Sequence, residues 1–99
     1  MRLTDHQIAA IRILAYQLAG TQSRVRVFGS RIDDTQQGGD LDLMLELPEP
    51  VENPAFLAAQ LAAKVSRLMN GRKVDVLLSA PNLMRLAFHD VAFKEGIIL

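Results

Sequence analysis

Residues 40–47 read DLDLMLEL, four leucines alternating with Asp40, Asp42, Met44 and Glu46. Successive side chains of a strand point to opposite sides, so in extended conformation this run has two unlike faces. Leu41, Leu43, Leu45 and Leu47 need a core beneath them. Asp40 and Asp42 are sent together to the other face. A chain with this segment has to build a sheet and cover one side of it.

The flanking sequence supplies the cover. Thr4 is placed as an N-cap, Ile8, Ile11, Ala15 and Leu18 recur at helical spacing, and Gly20 ends that helix. RVRVF (24–28) alternates and predicts a short strand, followed by Gly29 and a helical turn capped by Ser30 and running through Asp34. TQQGG reads as a loop, and Pro48 and Pro50 end the second strand. Asn53 and Pro54 open a helix carrying Leu57, Leu61, Val65 and Leu68, which stops near Gly71. KVDVLLS (73–79) is a third strand, with Asp75, Leu77 and Ser79 opposite Val74, Val76 and Leu78. Pro81 opens a last helix through Phe88 and Val91, broken by Gly96 before the terminal IIL. The expected fold is α+β in two layers, a small mixed sheet flanked by helices in the order α-β-α-β-α-β-α.

Ninety-nine residues are enough for one domain, taken as 1–99, and leave no room for a separate substrate domain. With no cysteine, disulfides and thiolate metal sites are excluded. The leading segment is interrupted by Asp5, Arg12 and Gln17, so it reads as neither a signal peptide nor a membrane span. A cytoplasmic location is the default expectation. Eleven basic and eleven acidic side chains cancel, so no global field favours nucleic acid. The charges are unevenly placed, however: no lysine or arginine falls between Arg31 and Lys64, a stretch holding seven acids. For Glu46, Glu49 and Glu52 a solvated face suffices.

Asp40 and Asp42 need more. Strand residues two apart have Cα atoms roughly 6.6 Å apart and point the same way. Two ionised carboxylates brought to about 5–6 Å repel by roughly 3 kcal/mol at an effective dielectric near 20. Such a pair expects a cation, and oxygen ligands without histidine or cysteine favour magnesium or manganese. Asp75, alone among the valines of its strand, becomes the third ligand if strands two and three are neighbours. Three carboxylates around one or two hard ions suit phosphoryl chemistry, in which the metal polarises the phosphate and activates the attacking oxygen. Gly29 and Ser30, between a strand and a helical turn, offer N–H groups and a hydroxyl to a phosphate tail.

The combination of Gly29-Ser30, Asp40-Leu41-Asp42 and Asp75 resembles the DNA polymerase β-type nucleotidyltransferase superfamily, and most closely its minimal nucleotidyltransferase branch. The resemblance runs over nearly the whole chain, from the leading helix to KEGIIL. It implies that Gly29, Ser30 and Arg31 hold the phosphates of a nucleoside triphosphate such as ATP. It also implies that Asp40 and Asp42 bind Mg2+ (or Mn2+), while Asp75 completes the site and helps activate the acceptor hydroxyl. The chain departs from the family pattern after Ser30. Ile32, Asp33 and Asp34 replace the usual small residue, arginine and glycine, and Gly39 stands where a serine precedes the first aspartate. Arg31, Arg24 and Arg26 are the cations at hand to compensate, although a solvated strand face is the plainer role of Arg24 and Arg26.

The same resemblance implies a partner. Minimal nucleotidyltransferases of this kind pair with a small helical HEPN protein as the antitoxin of a toxin–antitoxin pair, moving AMP from ATP to a toxin tyrosine. A second copy of the chain is the other source of an acceptor. The expected activity is a Mg-dependent nucleotidyl transfer to a protein hydroxyl. The alternative is an inactive binding module that captures a helical partner stoichiometrically, and a small-molecule nucleotidyltransferase ranks third. LMRLAFHDVAF (83–93) is a candidate docking segment, although core packing is its plainer role. Met44, Met69 and Met84 are assigned to packing, Tyr16 to helix packing, and His6 and His89 to surface or supporting positions.

Overall fold

The computed structural model describes residues 3–29 and 40–99. The first helix, α1 (Asp5–Ala19), begins where the side chain of Thr4 accepts the Gln7 N–H at 3.1 Å and Gln7 Oε1 accepts the Thr4 N–H at 2.9 Å. This reciprocal cap satisfies two donors that the first turn leaves without helical partners. β1 (Arg24–Phe28) and β2 (Leu41–Glu46) follow, then α2 (Pro54–Leu68), capped by the Asn53 side chain. β3 (Val74–Ser79), α3 (Ala87–Glu95) and the two-residue β4 (Ile97–Ile98) complete the chain. Strand boundaries fall within a residue of those the alternation predicted.

The four strands form one mixed sheet in the order β3-β2-β1-β4. β1 runs antiparallel to both β2 and β4, while β2 and β3 are parallel. A parallel neighbour requires a crossover, and α2 provides it. Val25, Val27, Leu41, Leu43, Leu45, Val74 and Leu78 share one side of the sheet and pack with Ile11, Ala15, Leu61 and Val65 of α1 and α2. The leucine row of β2 lies at the centre of this core, with Leu41, Leu43 and Leu45 inaccessible to solvent. This is a small α+β fold, as expected from the sequence. The helical turn expected over residues 30–34 lies outside the described residues.

On the opposite face α3 rests against β1. Phe93 of α3 sits over the Arg26 guanidinium, 5.0 Å from its ring centre. Met44 and Ala92 are fully buried without joining the main core, so this second face is partly dry. Gly96, at the end of α3, donates its N–H to Ala92 O at 2.9 Å. A Cβ at Gly96 would collide with that same carbonyl and press against Val27 O. Glycine therefore lets the helix end close onto β1 and the chain continue into β4.

Three expectations near the C-terminus are corrected. The last helix does not start at Pro81, since residues 80–86 form a turn and an extended approach. The cause is Asn82, whose amide nitrogen donates to Val51 O at 2.8 Å and whose oxygen accepts the Val51 N–H at 3.0 Å. This two-point attachment to the β2–α2 connection holds the segment away from helical geometry. The terminal IIL contributes a strand where none was expected. Met84 is 80% exposed, so it packs in no core, and LMRLAFHDVAF leaves Leu86, Phe88 and Val91 exposed as well.

Candidate functional site

Asp40, Asp42 and Asp75 come together at the start of the parallel pair. Asp42 stands directly opposite Asp75 in the β2–β3 register. Neighbouring strands lie about 4.8 Å apart, and residues in register project to the same side, so the two carboxylates are adjacent. Asp40 precedes β2 by one residue and lies two positions before Asp42. The pairing also extends past the strand end, since the Leu41 N–H donates to Lys73 O at 3.0 Å. The core therefore fixes this register: slipping β3 by one residue would turn Val74 and Leu78 out of it.

Crowding leaves an electrostatic trace on Asp42. Its carboxyl is held above the usual value of 3.8, first by partial burial, then by the charges of Asp75 and Asp40. Lys73 opposes this rise. Its Nζ lies 3.6 Å from Asp40 Oδ2, in an ion pair open to solvent. Lys73 was overlooked in the sequence, yet its signal is visible there. It lies two residues before Asp75 and shares its face of the strand, as Asp40 does with Asp42.

Gly29 closes the site from the β1 side. Phe28 pairs with Asp42 across the antiparallel ladder, so the next residue passes beside the carboxylate. Gly29 has φ 73°, and a Cβ built there would meet Asp42 Oδ2. The backbone angle requires glycine here, and an added Cβ would also push the Asp42 carboxylate aside. The side chain that such a Cβ would meet is that of the metal-ligand candidate itself. Ser30 and Arg31, the other two phosphate-binding expectations, lie outside the described residues, as do Ile32, Asp33, Asp34 and Gly39.

Arg26 has different partners from those expected. Its Nε donates to Glu46 Oε2 at 3.0 Å, and both side chains are largely buried. Phe93 covers the same guanidinium, and a second cation, Arg85, sits 4.6 Å from that ring. Glu46 is therefore an ion-pair partner on the sheet rather than one more solvated acid. Arg26 is committed to holding α3 and β2 together. Arg24, exposed at the outer end of β1, is unlike it in this respect.

As donors, three clustered aspartates fit a hard divalent cation, which takes oxygen ligands and would relieve the repulsion felt by Asp42. Among the described residues, no three Asp, Glu, His or Cys side chains are gathered closely enough to form a finished cage.

Of the surface or supporting positions expected for the two histidines, His89 takes a supporting one. It is only 4% exposed, with Nδ1 accepting the Leu86 N–H at 2.8 Å and Nε2 2.7 Å from Leu78 O. It ties the start of α3 to the end of β3. Nothing in the local sequence distinguishes it from His6, which is exposed on α1. No family model matches the chain, and no curated protein matches its sequence. Among the described residues, no helix is long and apolar enough to cross a membrane.

Proposed function

We propose that the chain is a metal-dependent nucleotidyltransferase of the minimal type, moving a nucleoside monophosphate, AMP from ATP, to a hydroxyl of a protein partner. The observation that carries the reading is the register of the parallel pair, which sets Asp42 beside Asp75 with Asp40 on the same side. Asp40 and Asp42 would hold Mg2+ or Mn2+, and Asp75 would complete the ligand set. When bound, the cation supplies charge neutralisation and polarisation of the α-phosphate. The acceptor oxygen attacks the α-phosphorus, the bond to the β-phosphate oxygen breaks, and pyrophosphate leaves. The acceptor proton would pass to a carboxylate, and the exposure of Asp75, greatest of the three, favours it for that role. Ser30 and Arg31, with Gly29, are proposed to hold the β- and γ-phosphates.

The proposed partner is a small helical protein of the HEPN type, with the chain as antitoxin, or a second copy supplying the acceptor. The exposed apolar strip of Met84, Leu86, Phe88 and Val91 supports protein docking. Incubation with ATP labelled at the α-phosphate, Mg2+ and a small helical protein of the HEPN type encoded beside this chain, or a second copy of the chain, should label the acceptor protein. Asp42→Asn should abolish the labelling. Undiminished transfer by the variant would remove Asp42 from the mechanism.

A second reading has its own support. Arg26 is spent on Glu46 and Phe93 and cannot serve a triphosphate without breaking that cluster. In this reading the chain keeps the fold and captures its partner stoichiometrically. Calorimetry with MgATP separates the two: micromolar binding favours transfer, and no binding favours capture.

A further inference from the structure

A buried histidine whose two ring nitrogens have opposite hydrogen-bonding duties can exist there in only one protonation state. At His89 the partners dictate those duties. The Leu86 main-chain N–H is a donor, so Nδ1 must present its lone pair. The Leu78 carbonyl is an acceptor, so Nε2 must carry the proton. The ring is nearly sealed from water. The Leu86 N–H is also one of the donors that the start of α3 leaves without a helical partner, and among the described residues no other side chain caps it.

We propose that His89 is an acid-sensitive latch that holds α3 against the sheet. A second proton on the ring would have to sit on Nδ1, facing the Leu86 N–H. The cap would be lost, two N–H groups would oppose each other, and a charge would be added in a dry site. Protonation is therefore coupled to release of the ring, and with it the junction between α3 and β3. The device does not depend on the nucleotidyltransferase reading.

Among the described residues, the charged groups near the latch give the ring no counter-ion. Asp90, beside it on α3, accepts from Arg85 Nε at 2.7 Å. Arg85, on the approach to α3, lines the same cleft as His89 and brings positive charge there. Glu46, in register with Ser79 at the end of β3, is held by Arg26 of β1. Lys94 and Glu95 lie in the exposed last turn of α3. Release would bare Met44 and Ala92 and move Leu86, Phe88 and Val91, so acid would alter the apolar strip as well.

Amide hydrogen exchange of the wild-type chain at pH 7.5 and pH 5.5, corrected for the intrinsic rate, tests the latch. Because the closed ring has no place for a second proton, proton uptake adds weight only to the released form, whose population rises as pH falls. Amides of 86–93 should therefore exchange several-fold faster at pH 5.5, while those of α1 and β2 change little. His6→Ala should behave as wild type, and His89→Ala should open α3 equally at both pH values. Because His89→Ala can also loosen the fold, nitrogen NMR of the wild-type ring gives an independent reading. It should show the Nε2–H form at pH 7.5, and the closed state should keep that form at pH 5.5. Opening of α3 that is the same at both pH values, or a ring that titrates while α3 stays closed, would overturn the proposal.

Discussion

Asp42 carries conflicting demands within one side chain. Its backbone belongs to the central strand of the core, yet its carboxylate is pressed by burial, Asp75 and Asp40. The folded state thus binds the Asp42 proton more tightly than the unfolded chain does. Its contribution to stability is fully present below pH 3.8, the ordinary value, and is lost as pH rises through the higher folded value. At neutral pH, without divalent cation, ionised Asp42 works against folding. Asp42→Asn should therefore raise the melting temperature at pH 7 in chelator, with the gain shrinking as the pH approaches 3.8. Calorimetric melts across that range check the sign, and a variant less stable at pH 7 would contradict it. Adding Mg2+ should raise the wild-type melting temperature and leave the variant unmoved. Gly29 is constrained from the other side, by its positive φ and by Asp42. Gly29→Ala should cost at least about 1–2 kcal/mol, the penalty of a left-handed backbone for a residue with a Cβ, read from urea unfolding. The aspartates and this glycine could be picked out from the sequence, because period-two alternation assigns a face without knowledge of any partner. His89 could not: its burial depends on the distant Leu78 carbonyl, which no local pattern reveals.

Elements built on local signals were predicted well, and one built on a remote contact was not. Thr4 with Gln7, and Asn53 with Phe56, start their helices through neighbours three residues away. Asn53→Ala should lower stability by about 1 kcal/mol, as loss of an N-cap does, with a fall in urea midpoint and an unchanged slope. The approach to α3 is governed instead by Asn82, which reaches 31 residues back to Val51. Asn82→Ala removes two hydrogen bonds, should cost about 1–2 kcal/mol, and should speed exchange at Val51. If exchange at Val51 were unchanged, the attachment would not be what shapes this segment. Pro81 alone suggested a helix start there, since proline suits a first turn. The long-range pair of bonds overrode that preference.

At the scale of the whole molecule the two sheet faces divide the labour. One is closed by α1 and α2 over the leucine row, and the other carries the aspartates at one end and α3 across β1. The apolar strip of Met84, Leu86, Phe88 and Val91 is left facing outward, with Phe88 68% exposed. If it docks the partner, Phe88→Asp should leave stability within about 0.5 kcal/mol of wild type, as surface changes do, and abolish complex formation. Gel filtration with the helical partner, alongside a melt, separates these effects. A complex that survives Phe88→Asp would move the interface elsewhere.

The sequence by itself determined that there would be strands with one leucine or valine face, helices to cover it, and aspartates sent to the opposite side. Those outcomes follow from period and capping, which act over a few residues. Only the tertiary structure decided that β3 lies beside β2, in the register that opposes Asp42 to Asp75. It also decided that Arg26 is consumed by Glu46 and Phe93, and that His89 is a buried clasp. Each of these depends on which distant segments meet. Strand order and cross-chain hydrogen bonds are set by the packing of all elements together, and no short stretch of sequence carries that information.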